Sequence, residues 1–374
     1  MTYSEAILFV GKCLTLGHYP EKISSVRDQI RTGKIDWERI VWVSTSHLVF
    51  PALYLNLGKA GLLPDLPPEL VEYMEEFTCR NRDRNLRIVD QAGEITVLLN
   101  EQGIEPVFLK GTAHVLDSLY NDMAERMMGD IDLLVRDQDM VRAAEILLSA
   151  GYKTMAPVDQ HYINSIKHYP RLFLEDRIAG VEIHRRFLRY RDSEVLNIDT
   201  VFRNIRKLNA SGSAHVLSNQ HQVIQNIYHA QIDHDGGYYA NLSLRQCYDL
   251  FLLAGRVSPV DAVRLFGKFF QRMNANIATA NYILGNPACL TFERNCRVSM
   301  YLARIIFRLK HPGWARFSHA SLFLINRFWL YLKRIAEVLF SSGARRSLRR
   351  RLTDPKWYKA HWGLYRDAFR RSDE

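Results

Sequence analysis

Two short stretches decide the fold: Leu109-Lys-Gly-Thr112 and Gly129-Asp-Ile-Asp-Leu-Leu-Val135. The second predicts a buried strand over 131–135, which is apolar except for Asp132, with Asp130 and Asp132 on either side of Ile131. Because residues two apart in a strand point to the same face, the two carboxylates should project together. Neighbouring carboxylates repel each other, and a bound cation lets both stay ionised. The pair therefore predicts a site for Mg²⁺, or for Mn²⁺, since these ions accept oxygen ligands.

The stretch 109–112 predicts a turn between a buried strand at 106–109 and a helix at 113–120. Gly111 lets the backbone approach a phosphate closely, and N–H groups at the start of a helix bind anions. The hydroxyl of Thr112 adds a further donor. We therefore expect the phosphates of a nucleotide to lie at this turn.

Two cationic side chains lie near the turn in the sequence. Lys110 and Arg126 could neutralise the charge of a triphosphate through charge-assisted hydrogen bonds. Alternatively, they could form structural ion pairs with Asp130 or Glu125. The sequence leaves both interpretations open.

A later strand, predicted over 180–187, carries Val181-Glu-Ile-His184 and places Glu182 and His184 on one face. Glu182 could complete a second metal site or deprotonate an acceptor hydroxyl. Its alternative is a structural salt bridge with a nearby arginine. His184 could contact phosphate or hold Glu182 in place, or it could be an ordinary hydrogen-bonded strand residue.

Taken together, these motifs resemble the bacterial uncharacterised nucleotidyltransferase family of the polymerase-β-like superfamily. The resemblance covers roughly residues 35–330 and is strongest over 105–136 and 180–187. It implies that Gly111 and Thr112 form the phosphate-binding turn, Asp130 and Asp132 the metal-binding pair, and Glu182 the third carboxylate. The chain departs from the superfamily pattern in having Thr112 for the usual Ser and Glu182 for Asp. The gap between turn and acidic pair is also longer than is typical.

The resemblance implies a metal-dependent enzyme that transfers a nucleoside monophosphate from a nucleoside triphosphate to an unidentified small-molecule, sugar or peptide acceptor. Its expected catalytic and metal-binding residues are Asp130, Asp132 and Glu182. Its expected nucleotide-binding residues are Lys110, Gly111, Thr112, Arg126 and His184. One alternative is a non-catalytic nucleotide-binding or regulatory protein on the same fold, and another is an RNA nucleotidyltransferase.

The predicted fold class is α+β, with a small mixed β-sheet core flanked by N-terminal and C-terminal helical regions. We divide the chain into an N-terminal helical region (1–103), a nucleotidyltransferase core (104–215), a C-terminal helical region (216–340) and a basic tail (341–374). A long helix is expected over 68–100, starting at a proline pair. The other expected elements are a helix at 139–150, a strand at 171–175 joined to 180–187 by a turn, and helices at 220–232 and 242–254.

A second polar cluster lies downstream, and its members are His221, His229, Asp233, His234 and Asp235. We favour polar helix faces and a turn cap over a metal site here. Arg245 and Asp249, four residues apart, predict a surface or interdomain ion pair.

The charge of the 374-residue chain is uneven. Residues 301–374 hold 17 Lys/Arg and five Asp/Glu, a net of +12, whereas the rest holds 33 and 35, a net of −2. This asymmetry favours an anionic partner for the tail, either a membrane surface or, less favoured, nucleic acid. The helix predicted at 321–340 has a broad apolar face, for which packing on the core is favoured over an interfacial membrane helix. A start without a signal-peptide pattern and an odd cysteine count predict a cytoplasmic protein, with peripheral membrane contact as an addition.

Overall fold

A computed structural model describes residues 1–154, 167–189, 192, 196–208, 213–233, 236–340, 343, 345, 348–349 and 352–370. The chain divides into two compact units, Met1–Leu302 and Ala303–Glu374. The first unit contains the sheet and most of the helices, and the described part of the second is helical. The predicted α+β class with flanking helical regions is confirmed. The four-part division of the chain stays a prediction.

The sheet of the first unit has seven short strands in the order β3-β4-β5-β2-β1-β7-β6. Its central strands, β2 and β5, are parallel, while β1 pairs antiparallel with β2 on the other side. The strands are β1 (Val107–Phe108), β2 (Asp130–Leu134), β3 (Lys153–Thr154), β4 (Leu172–Phe173), β5 (Gly180–His184), β6 (Arg206–Lys207) and β7 (His215–Val216). The alternating side chains of β2 and β5 bury apolar residues on one face, so the polar ones share the other.

The N-terminal part of the chain contributes seven α-helices to the first unit. They are α1 (Tyr3–Cys13), α2 (Ile23–Arg31), α3 (Trp37–Ser46), α4 (Phe50–Lys59), α5 (Pro68–Asn100), α6 (Lys110–Leu116) and α7 (Met140–Ser149). The predicted long helix is confirmed at 68–100, with Pro68 in its first turn and Gly103, at a φ of +72°, in the turn that follows it. The helix expected at 113–120 is α6, which begins three residues earlier at Lys110.

Polar side chains from the middle of α5 hold the loop between α6 and β2. Asn85 Nδ2 donates to the carbonyl oxygens of Met123 and Arg126, at 2.6 and 2.7 Å. Arg84 Nε donates to the carbonyl oxygen of Met128 at 3.0 Å. The charged stretch in the middle of α5 therefore positions this loop in addition to covering the sheet.

Further helices complete the first unit, namely α8 (Ile198–Arg203), α9 (Asn219–Tyr228), α10 (Gly236–Tyr239), α11 (Leu244–Ala254), α12 (Pro259–Arg264) and α13 (Phe270–Ile283). The helix expected at 220–232 is α9 followed by a π-helical turn, His229–Asp233. The end of α13 is tied to the N-terminal helices, because Lys22 Nζ donates to the carbonyl oxygen of Gly285 at 2.7 Å. N-terminal and C-terminal helices thus share one unit with the sheet.

The helix α14 (Cys296–Lys310) spans the division between the units, and the second unit continues with α15 (Pro312–Phe340) and α16 (Pro355–Arg370). We expected the apolar face of α15 to be buried, but none of its residues is. Trp329 is 64% exposed and Leu339 is 66% exposed. No helix in the described parts of the chain is long and apolar enough to cross a membrane.

Candidate active site

The polar face of the central strands brings three predicted site residues together. The parallel register places Asp132 on β2 directly beside Glu182 on β5. His184, two residues further along β5, donates from Nε2 to Asp132 Oδ1 at 2.8 Å. Ligand atoms of Asp132, Glu182 and His184 all lie within 4.8 Å of one another. The residues predicted from the period of the strands therefore share one small volume.

Lys110 reaches this group from the turn after β1. Its Nζ lies 2.7 Å from Asp132 Oδ1. Its backbone has a φ of +52°, in the left-handed region that costs a non-glycine residue about 1–3 kcal/mol. Its N–H donates to Gln225 Oε1 on α9 at 3.2 Å. The sequence left open whether Lys110 would meet Asp130; its partner is Asp132.

Asp130 lies at the more exposed end of the acidic group. Its Oδ2 is 3.1 Å from Arg171 Nη2, and the same guanidinium contacts Glu182 Oε1 at 2.5 Å. Arg171 reaches both carboxylates by lying across Gly180, where an added Cβ would stand only 2.7 Å from Arg171 Cδ. Asp130 is outside the group of three that meet within 4.8 Å. The salt bridge that we considered as an alternative role for Glu182 is therefore present.

The electrostatics of the group favour an ionised Asp132. Burial alone would raise the pKa of Asp132, but the hydrogen bond from His184 and the charge of Lys110 outweigh it and hold this pKa below its ordinary value. Burial lowers the pKa of His184, so the imidazole is neutral and donates its Nε2–H. Burial and the charge of Asp132 raise the pKa of Asp130. One carboxylate is thus firmly ionised, and its neighbour is destabilised as an anion.

This donor set fits a divalent cation. Asp130, Asp132 and Glu182 offer the hard carboxylate oxygens that Mg²⁺ and Mn²⁺ accept, and His184 orients one of them through its hydrogen bond to Asp132. Lys110 and Arg171 form ion pairs with these carboxylates. A cation bound among the carboxylates would take over that role.

The predicted phosphate turn is placed only partly as expected. Gly111 and the acidic group line the same cleft. An added Cβ on Gly111 would stand 3.1 Å from Met128 Cγ and 3.5 Å from Arg126 Cζ. Thr112 is buried, and its hydroxyl donates to the carbonyl oxygen of Asp130 at 3.2 Å. Since α6 has only seven residues, its N-terminus is a weak anion site. The turn therefore supports Asp130 directly and approaches the cleft through Gly111.

A second charged group, which the sequence pattern did not predict, lies on the same cleft. Arg126 is buried, and its Nη2 is 3.0 Å from Asp249 Oδ2 on α11. Tyr120 donates its hydroxyl to the same carboxylate. The expected pair of Arg245 with Asp249 is wrong in its partner and in its exposure, because Asp249 is buried and bonds to Arg126. Asp249 therefore pairs with Arg126, which the fold brings close, and not with Arg245, which is nearer in the sequence.

Arg245 consequently has no carboxylate within ion-pair distance in the described part of the chain. Its Nη1 donates to the carbonyl oxygen of Met127 at 3.2 Å. Burial and the neighbouring charge of Arg126 lower the pKa of Arg245 to about 10. Arg245 still carries its charge at neutral pH, and it does so beside a second guanidinium.

Both groups line one cleft of about 620 Å³, which is within the range of about 300–1,000 Å³ typical of small-molecule sites. Six Lys or Arg and five Asp or Glu line it. Among its lining residues, Lys167 and Arg189 both contact Asp233, at 2.5 and 3.1 Å. A cleft lined so densely with charges of both signs is suited to a charged ligand and its counter-ion.

The downstream polar cluster does not assemble as a metal site in the described residues. Asp233 is occupied by its two cations, His229 Nδ1 bonds to Gln246 at 3.1 Å, and His221 is buried apart from them. His234 and Asp235 lie outside the described residues. The placement agrees with polar helix faces.

Arg171 was missed although the sequence held a signal for it. The hairpin predicted at 171–175 and 180–187 forms, and its pairing of Leu172 with Val181 puts Arg171 beside Glu182. Register depends on turn geometry, and a shift by one residue would have turned Arg171 to the other face. Arg245 and Asp249 could not be assigned without the fold.

Comparison with known families agrees with this geometry. The profile of a family described as uncharacterised nucleotidyltransferase matches residues 33–275, about two-thirds of the chain. The match includes every residue that lines the cleft and ends well before residue 330, where we expected the resemblance to stop. None of the curated proteins matches the chain.

Proposed function

The chain belongs to the uncharacterised nucleotidyltransferase family and is a nucleotidyltransferase, and from that premise we propose that it transfers a nucleoside monophosphate from a nucleoside triphosphate to a small-molecule, sugar or peptide acceptor with the help of a divalent cation. The observation that carries this proposal is the meeting of Asp132, Glu182 and His184 within 4.8 Å on the wall of a charged cleft. Carboxylates collected in this way are costly to bury without a cation.

In this proposal Asp130, Asp132 and Glu182 hold the cation. When bound, Mg²⁺ or Mn²⁺ would neutralise phosphate charge and polarise the phosphoryl group under attack. His184 donates to Asp132 and fixes the direction of its carboxylate. Lys110, which lies in the turn, would be available to contact phosphate where a cation takes its place at Asp132.

The chemical step is a displacement at the α-phosphorus. A hydroxyl or amine of the acceptor forms a bond to that phosphorus, and the bond to the oxygen bridging the α- and β-phosphates breaks. Pyrophosphate leaves with the electron pair, and Glu182 accepts the proton of the acceptor. Gly111 and Arg126 border the space for the phosphates. Thr112 contributes by holding the backbone of Asp130.

A titration tests the proposal. The four common nucleoside triphosphates are titrated into the protein by calorimetry, with and without Mg²⁺. We expect at least one to bind only with the cation, and we expect Asp130→Asn combined with Asp132→Asn to abolish that binding. Asp137→Asn is the matched control, because Asp137 is a half-exposed partner of Arg185 outside the cleft.

Unchanged affinity in the double variant would overturn the metal site. Binding without any release of pyrophosphate, in the presence of a pool of small-molecule, sugar and peptide acceptors, would favour the non-catalytic alternative. Extension of a labelled RNA would favour the RNA alternative.

The exposed helix α15 supports a second proposal, that a cytoplasmic protein makes peripheral contact with an anionic membrane surface. Large apolar side chains are exposed along α15, among them Phe328, Trp329 and Leu339. The basic charge of residues 301–374 would add about 1 kcal/mol for each Lys or Arg that comes near anionic lipid. Apolar contact and charge together are what such an attachment needs.

A further inference from the structure

Two guanidinium groups lie on the cleft wall, and among the described residues only one of them is paired with a carboxylate. The side chain of Arg126 is 8% exposed, and its Nε has no hydrogen-bond partner in the described part of the chain. Arg245 Nε is also buried without a partner there. Asp249 contacts Arg126 at 3.0 Å and neutralises one of the two charges. Among the described residues, the pair therefore retains one positive charge without a carboxylate at ion-pair distance and two Nε–H donors without a partner.

A partly buried charge without an ion-pair partner costs the folded protein free energy, and an anionic ligand would remove that cost. Phosphate and carboxylate are the groups that planar guanidinium donors match best. Both arginines border the open cleft, so a ligand can reach them.

Two of the phosphate donors expected at the turn are already in use, so the arginines would supply donors that these two cannot. The N–H of Lys110 donates to Gln225, and the hydroxyl of Thr112 donates to the backbone of Asp130. The guanidinium of Arg126 lies beside Gly111, 3.5 Å from the place an added Cβ would take. An anion held by Arg126 and Arg245 would therefore lie next to the turn.

We infer that Arg126 and Arg245 form a subsite for the terminal phosphates of the nucleoside triphosphate and for the pyrophosphate that leaves after transfer. This inference rests on the proposed function and assigns Arg245 a role in it. Arg126 and Arg245 both donate to the carbonyl oxygen of Met127, so they lie close enough together to contact the same pyrophosphate as it departs. Asp249 is a positioning residue, which orients Arg126 without touching the ligand.

Arg245→Ala tests the subsite without disturbing the Arg126–Asp249 pair. The probe is inorganic pyrophosphate with Mg²⁺, titrated by calorimetry, because it needs no knowledge of the base or the acceptor. We expect Arg245→Ala to weaken its binding by about 10- to 100-fold, the worth of charge-assisted hydrogen bonds. Arg245→Lys should give an intermediate loss, since it keeps the charge and loses the fork. Arg264→Ala, which removes an exposed arginine on α12, is the matched control.

Two further measurements distinguish a loss of pyrophosphate binding from a loss of folded structure. Affinity for Mn²⁺ alone should stay unchanged in Arg245→Ala, since the acidic group is intact. The melting temperature without ligand should shift by no more than about 2 °C, because no ion pair is lost. Should the alanine variant melt far lower, Arg245→Lys decides the question, because it keeps the charge in place.

Equal pyrophosphate affinity in the wild type and in a folded Arg245 variant would overturn the subsite alone. A variant that binds pyrophosphate normally and loses affinity only for an anionic acceptor would reassign the arginines and also overturn it. A wild type that binds no nucleoside triphosphate with any divalent cation would overturn the proposed function, and the subsite with it.

Discussion

The two charged groups of the cleft have opposite excess charges. In the first, the carboxylates of Asp130, Asp132 and Glu182 outnumber their cations, Lys110 and Arg171. In the second, Arg126 and Arg245 outnumber the one carboxylate that the described residues place with them, Asp249. The first group is completed by a cation and the second by an anion. A divalent cation bound to a polyphosphate supplies both in one ligand.

A single helix holds both groups in place. Asn85 and Arg84 on α5 bond to the loop that carries Arg126, and Gln91 exchanges two hydrogen bonds with Ala179, just before β5. Loss of packing on α5 would therefore disturb both groups together. Single substitutions can still perturb one group without the other, because each group has members that the other does not contact.

The largest effect should come from the acidic group. Glu182→Gln should lower pyrophosphate release by about 10²–10⁴-fold, because it removes the proposed base. Nucleotide binding should survive, because Asp130 and Asp132 remain to hold the cation. The assay combines nucleoside triphosphates, Mg²⁺ and a pool of acceptors. The matched control is Glu94→Gln, which breaks a similar Glu–Arg pair, with Arg177, away from the cleft. Full activity in Glu182→Gln would leave Glu182 with only its structural salt bridge.

A smaller effect should sharpen the contrast in charge. Arg171→Ala should tighten Mn²⁺ binding in the absence of nucleotide by roughly 2–5-fold, because a half-exposed competing cation is removed from Asp130 and Glu182. A calorimetric titration measures this, with Arg177→Ala as the control. Weaker Mn²⁺ binding would mean that Arg171 holds the carboxylates in position for the metal.

Substitutions in the second unit should have no effect on ligand binding in the cleft. Replacing Leu322, Trp329 and Leu332 on α15 by Ser should weaken binding to phosphatidylserine vesicles at low salt and leave nucleotide affinity unchanged. Because none of these side chains is buried, the melting temperature should hold. Asn326→Ser on the same helix is the control. Unaltered vesicle binding, or no binding by the wild type, would eliminate the membrane proposal.

Local pattern sufficed for the parts of the fold and site that depend on a few consecutive residues. The period of two along β2 and β5 predicted that Asp132, Glu182 and His184 face one way, and they meet. The proline pair at 67–68 predicted the start of α5. The strands β1, β3, β4, β6 and β7 have two residues each, too few for a period to be visible.

The remainder of the site depends on contacts that no local rule contains. Asp249 has Arg245 four residues away, yet it pairs with Arg126, 123 residues distant in sequence. Burial decided the outcome, because a carboxylate enclosed by the fold bonds to the cation enclosed with it. Thr112 was expected to face phosphate for its hydroxyl, but the short helix α6 turns that hydroxyl to the carbonyl oxygen of Asp130.

A crystal structure grown with Mn²⁺ and a non-hydrolysable nucleoside triphosphate analogue tests the central claim most directly. Anomalous scattering locates the metal independently of the rest of the density. The account predicts an Mn²⁺ peak between Asp130 and Asp132, Lys110 withdrawn from Asp132, and the terminal phosphates at Arg126 and Arg245. A metal peak outside the acidic group, or phosphates away from both arginines, would contradict it.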